Sequence, residues 1–190
     1  MVKVLKKLKF LFCLFFLISI VSFTGCSSAH HATDINAANN FKSKVKIKRK
    51  VTEVEIDTRN VRPDKLVDFA ETLQGIKYVY GSTNKEKGFD CSGFVWYVFN
   101  HFNIKVPRTA AEYTNAGKKI KPKKSRRGDI ILFTGSDQTS GVVGHMGIIT
   151  KSSKKAFQFI HAASGGNKGV TVSSMSEYYY RRFVKIVRVF

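Results

Sequence analysis

From residue 129 onward the chain is assembled almost wholly from short β-type runs, at 129–133, 145–150, 157–162, 170–173 and 183–189, with turn residues between them. Ahead of them stand helix signals. Pro63 occupies the N1 position of a run that carries Leu66, Val67, Phe69, Ala70 and Leu73. Residues 76–80 form a short extended piece, and Thr109 is placed to cap a short helix through Ala116, closed by Gly117. Helices first and antiparallel strands after make an α+β domain, N-terminal helices packed on a C-terminal antiparallel sheet. The roughly 130 residues from Asn60 onward suffice for one core and are too few for two.

Within the helical half, Phe89-Asp90-Cys91-Ser92-Gly93-Phe94-Val95 joins a Gly/Lys/Asn-rich turn, residues 81–88, to an apolar helix. Phe94, Val95, Val98, Phe99 and Phe102 recur at the spacing of one buried face. Asp90 then falls at the N-cap and Cys91 in the first turn. A thiol there meets unpaired backbone N–H groups and the positive end of the helix dipole, both of which favour thiolate and lower its pKa. The competing reading is a small buried hydrophobe that happens to be Cys.

The N-terminus bears on that choice. Lys3, Lys6, Lys7 and Lys9 precede an apolar run, residues 10–21, too short for a comfortable membrane span and of the length of a signal-peptide core. It ends in Ser22-Phe23-Thr24-Gly25-Cys26, which resembles the processing site of bacterial lipoproteins, where Cys26 becomes the acylated first residue. Residues 1–25 read as the signal and 26–60 as a lipidated Cys with a flexible basic tether, leaving 61–190 as the domain. The chain has three cysteines, Cys13, Cys26 and Cys91. One goes with the signal and one takes lipid. Cys91 is therefore an unpaired thiol in an oxidising compartment, a liability unless it is used. His30 and His31 read as polar linker, and residues 42–50 as an edge strand or a cationic arm.

The formal charge of +20 falls to +16 once residues 1–25 and their four Lys are removed, and outside the cytoplasm it points to anionic lipid headgroups and wall polymers. No nucleic-acid motif accompanies it. The basic cluster at 118–127 reads as a solvated, Pro-containing loop.

Two histidines fall on the strands, His145 in Gly144-His145-Met146-Gly147-Ile148 and His161 in Phe159-Ile160-His161-Ala162. If the strands pair through the turn at 152–155, the two side chains become neighbours. Nucleophile, base and base-orienting group is the constellation that cysteine acyl transfer needs.

These three motifs, in this order, resemble the NlpC-type family of bacterial cell-wall cysteine peptidases over roughly residue 64 to the C-terminus. Tyr78, Pro107-Arg108-Thr109, Gly128-Asp129-Ile130 and Tyr179-Tyr180-Arg181-Arg182-Phe183 also fall where that family has similar residues. Gly81-Ser82, Tyr113 and the loop 134–144 depart from its pattern. The resemblance implies a papain-like fold and hydrolysis of amide bonds in peptidoglycan stem peptides or their cross-links; with the Cys26 signal, the expectation is an envelope enzyme held to the membrane by its N-terminal lipid and working as a monomer. It implies no cofactor, no metal and no nucleic-acid partner. Cys91 would be the nucleophile, His145 the base and His161 its orienter. Tyr78 would assist the oxyanion, and Asp90 and Ser92 would contact substrate. The rival readings are a Cys91/His145/His161 zinc site, a non-catalytic wall-binding lipoprotein of the same fold, and a Cys/His amidase or acyltransferase.

Overall fold

A computed structural model describes residues 54–153, 155–166 and 169–190. The export segment, Cys26, His30, His31 and the basic arm at 42–50 lie outside the described residues.

Helix α1, Pro63–Glu71, starts with its proline where a missing N–H costs nothing and buries Leu66, Val67 and Ala70. Two short strands, β1 (Thr83–Asn84) and β2 (Gly88–Phe89), pair as a small hairpin within the stretch expected to be loop. Helix α2, Cys91–His101, follows at once and buries Phe94, Val95, Val98 and Phe99, the face its spacing predicts. Phe102, expected on that face, sits partly buried at its margin. The expected helix after Thr109 tightens to a 3-10 turn, Glu112–Asn115, with the Glu112 carboxylate accepting from both the backbone N–H and the hydroxyl of Thr109.

The strands β3 (Lys118–Ile120), β4 (Ile130–Thr134), β5 (Val143–Ser152), β6 (Phe157–Ala163), β7 (Gly169–Ser174) and β8 (Phe183–Arg188) form one antiparallel sheet in the order β3-β8-β4-β5-β6-β7. A short helix, α3 (Glu177–Arg182), precedes β8. The α+β expectation holds. The period of two in β4 sends Ile130 and Leu132 to the core shared with α1 and α2, and Ile131 and Phe133 to a second cluster on the opposite face. That second cluster, with Phe159, Phe183 and Tyr179, is where α3 packs.

Two sequence expectations are corrected. Ile56 is 7% exposed and Val54 bridges to Ala116, so the fold includes residues assigned to the tether. The basic cluster at 118–127 is not simply a loop. Lys118 and Lys119 lie on β3, and the Arg127 guanidinium is tied to Asp68 at 2.6 Å and Glu71 at 3.1 Å on α1. Lys121, Lys123 and Lys124 stay exposed, as expected of them.

Candidate active site

Cys91 is the first residue of α2, and the turn before it is held by one guanidinium. Asp90, at the N-cap, accepts the Gly93 N–H at 2.5 Å and the Ser92 hydroxyl at 3.1 Å. Arg108 reaches both carboxylate oxygens, at 3.3 and 2.8 Å, and also donates to Ser92 Oγ at 3.0 Å and the Gly81 carbonyl at 2.9 Å. Asp90 is 7% exposed and Ser92 6%. Both side chains are thus committed within the protein, fastening the loop to the helix start. Gly93 is needed there, because a Cβ would lie 2.1 Å from the Ser82 carbonyl oxygen. Sequence reasoning gave Arg108 no role; its position among matching residues was the available signal.

The thiol lies 3.9 Å from the Gly144 carbonyl oxygen, next to His145 in the chain. Its environment is the reverse of the one expected. Burial, and after it the charge of Asp90, push the Cys91 pKa up to about 11, while the backbone N–H groups of Ser92, Met146 and Cys91 itself pull the other way and lose. The helix-start effect is present but outweighed. Tyr78, bridged to Phe89, stands near enough that Cys91 and Asp90, after burial, raise the pKa of its hydroxyl.

β5 and β6 pair as the expected hairpin, and the two histidines meet across it: His145 Nε2 is 2.8 Å from His161 Nδ1. The approach depends on Gly147. A Cβ there would come within 2.8 Å of the Ile160 carbonyl, 2.9 Å of the Phe159 ring and 3.1 Å of the His161 Cβ. Burial and the positive charge of Arg182 lower the His145 pKa to about 4. His161 is lowered to about 3, by burial first, then by His145 and Arg182. Both rings are neutral at physiological pH. Thiol and imidazole therefore rest uncharged, in place of the thiolate that the helix start leads one to expect.

Beyond the pair, His161 Nε2 lies 3.0 Å from Ser173 Oγ and 3.3 Å from Tyr179 Oη. Arg182 donates to the Thr134 and Gly135 carbonyls at 2.8 and 2.7 Å and bonds the Tyr178 hydroxyl, its guanidinium 4.9 Å from the centre of that ring. Sequence reasoning assigned none of these residues a role. A cavity of about 310 Å³ opens beside the histidines, walled by Tyr178, Tyr179, Arg182 and the Ala163–Gly166 turn. His145 Nε2 and His161 Nδ1 point at each other, and among the described residues no three His, Cys, Asp or Glu side chains converge as metal ligands. A buried thiol, a neutral imidazole with one nitrogen uncommitted, and a second imidazole behind it can together carry out nucleophilic acyl transfer with proton shuttling.

The NlpC/P60 family model matches residues 75–189. Over 126 residues the chain is 33% identical to the gamma-DL-glutamyl hydrolase of Bacillus subtilis, covering 66% of this chain and 29% of that protein. It is 35% identical over 133 residues to the murein DD-endopeptidase MepS/murein LD-carboxypeptidase of Escherichia coli K12, covering 68% of this chain and 64% of that one. The chain thus spans less than two thirds of either relative. An NlpC/P60 family protein from Bacillus cereus superposes with a TM-score of 0.61 over 70% of this chain and 42% of its own, at 23% identity, which bears out the papain-like α+β fold. With its family model spanning the helix that starts at Cys91 and the strands that carry both histidines, the chain belongs to the NlpC/P60 family.

Proposed function

We propose that the protein is a cell-wall hydrolase, a cysteine endopeptidase cutting amide bonds in peptidoglycan stem peptides or their cross-links. The observation that carries the reading is the 2.8 Å contact between His145 and His161 on the strand whose Gly144 carbonyl touches the Cys91 thiol. The names of the relatives, a gamma-DL-glutamyl hydrolase and a murein endopeptidase, support the substrate class.

In this mechanism His145 uses Nδ1, the nitrogen not facing His161, to take the thiol proton as the Cys91 sulfur attacks the amide carbonyl. The anion forming on sulfur supplies the counter-charge that a buried imidazolium lacks, so the proton passes directly between them and not by way of water. The oxyanion is held by the Cys91 backbone N–H and the Tyr78 hydroxyl. His145 then gives its proton to the leaving amine as the C–N bond breaks, which leaves a thioester. Water, deprotonated by His145, releases the acid and returns the thiol. His161 orients the base. Asp90 and Ser92, expected to contact the stem peptide, instead hold the Cys91 helix start through Gly93 and Arg108.

The same proposal places the enzyme in the envelope, acylated at Cys26 after removal of residues 1–25. The basic n-region, the short apolar run and the small residues before Cys26 support it. A fatty-acid probe should label the parent and not Cys26→Ser; soluble, unlabelled parent protein would refute the anchor.

The deciding experiment digests purified wall with the full chain and identifies the new termini by mass spectrometry. New stem-peptide amines and carboxylates, absent with Cys91→Ala, are the expected result. Intact wall would favour a binding protein, and release of sugar-linked termini an amidase.

A further inference from the structure

The proton arrangement of the two histidines decides whether His145 can act as a base at all. A neutral imidazole has one donor and one acceptor nitrogen. If Nε2 of His145 carries the proton, it donates to His161 Nδ1 and leaves Nδ1 of His145 with a bare lone pair. In the opposite arrangement His161 Nδ1 donates, and Nδ1 of His145 carries a hydrogen that cannot accept the thiol proton. The 2.8 Å contact allows both.

The choice is made one layer further back. Two hydroxyls converge on His161 Nε2, Ser173 Oγ at 3.0 Å from β7 and Tyr179 Oη at 3.3 Å from α3. When Tyr179 gives its one hydrogen to Ser173 Oγ, 3.5 Å away, the Tyr179 oxygen faces His161, 3.3 Å away, as an acceptor. A hydrogen on Nε2 then meets two oxygen lone-pair sites, whereas a bare Nε2 could take a hydrogen only from Ser173 and would stand against the lone pairs of Tyr179. The tyrosine is not free to drift. Its ring packs edge-on to Phe159 with centroids 4.8 Å apart and edge-on to His161 at 5.7 Å. The charged group facing the pair is Arg182, whose cation disfavours a proton on both rings and so keeps the question one of tautomer and not of charge.

We propose that Ser173 and Tyr179 are positioning residues that hold His161 as its Nε2–H tautomer, so that His145 is also protonated on Nε2 and presents a bare Nδ1 to the Cys91 thiol. The proposal builds on the hydrolase reading, but its first test is independent of activity. With 15N-labelled histidine in the full chain, two-bond 1H–15N correlation spectra report which ring nitrogen is protonated. Both histidines should show the Nε2–H pattern in the parent, and Ser173→Ala/Tyr179→Phe should shift His161 toward a mixture with Nδ1–H. An Nδ1–H pattern on either histidine of the parent, or an unchanged pattern in the double variant, would overturn the proposal. A wall that the parent leaves uncut would count against the hydrolase reading alone, because the spectra are read without substrate.

Kinetics supply the second arm. The double variant should lose about tenfold or more in kcat, a fraction of what a mis-set tautomer costs in serine hydrolases, with KM within about twofold. Ser173→Thr, which keeps the hydroxyl, should retain more activity and more of the parent pattern than Ser173→Val of nearly the same shape. Equal behaviour of Thr and Val would mean that bulk and not hydrogen bonding matters there, and would refute the assignment of Ser173. Should the double variant not fold, Tyr179→Phe and Ser173→Val carry the same comparison separately.

Discussion

His145 Nε2 and His161 Nδ1 stand 2.8 Å apart, and a hydrogen bond between two neutral imidazoles, one half-buried and one buried, joins strands β5 and β6 next to the Gly144 carbonyl that the Cys91 thiol meets. The two rings are chemically alike but placed differently. His145 follows Gly144, whose carbonyl the thiol meets, and His161 is enclosed by Phe159, Tyr179 and Ser173.

Unequal losses on mutation follow from this order. His145→Ala should lower kcat/KM by about 10²–10⁴-fold, the usual worth of a general base. His161→Asn or His161→Gln retains a carbonyl acceptor for the His145 N–H and should keep measurable turnover, while His161→Ala should lose more. Steady-state kinetics on a soluble stem peptide make the comparison. If His161→Ala is the more damaging of the two alanine variants, the roles are reversed.

Acid should destabilise the domain before it exposes its carboxylates. Both histidines have folded-state pKa values below the ordinary value of 6.5, about 4 for His145 and about 3 for His161. Below 6.5 the unfolded chain binds protons that the folded protein refuses, so stability is full above that pH and falls as the pH drops toward 4 and 3. Urea midpoints at pH 7, 6, 5 and 4 should decline over this window. His161→Gln should flatten the decline, and a parent midpoint constant from pH 7 to 4 would contradict the burial of neutral rings.

The sheet, the helix at Cys91 and the histidine hairpin were legible because each has a local signal: period-two apolar runs, an apolar face after an Asp cap, and a short polar turn between two strands. What escaped was non-local. Ser173 and Tyr179 lie 12 and 18 residues beyond His161 and gain meaning only when β7 and α3 fold back onto it. Arg108, 18 residues after Asp90, is similar. The thiol's raised pKa was misjudged for a related reason. The helix-start N–H groups are visible in the sequence, but the burial that outweighs them is a property of the assembled layers.

Gly147→Ala should damage the site without touching any reacting group. The added methyl meets the Ile160 carbonyl at 2.8 Å and the Phe159 ring at 2.9 Å, contacts that neither backbone nor a packed ring can relieve cheaply. Overpacking of this kind costs about 1–3 kcal/mol, and the strand shift that relieves it should also lengthen the His145–His161 contact. A lowered urea midpoint together with a fall in kcat is expected. A parent-like kcat would show that the pair tolerates displacement.

Alkylation of Cys91 tests the charge state of the thiol directly. With its pKa up to about 11, the unliganded parent should react slowly with iodoacetamide at pH 7, and the rate should go on rising well past the ordinary thiol value of 9.0. Asp90 is the largest named charge acting against the thiolate, so Asp90→Asn should move the alkylation midpoint down. The same change weakens the helix cap and leaves Arg108 without its carboxylate, at a cost of about 1 kcal/mol or more in stability. It should therefore give a more reactive thiol in a less stable protein. Arg108→Gln provides the control, because it disturbs the same loop while leaving the Asp90 charge unpaired beside Cys91, and its midpoint should move up. Midpoints moving the same way in both variants would mean that loop disorder, and not the Asp90 charge, governs the thiol.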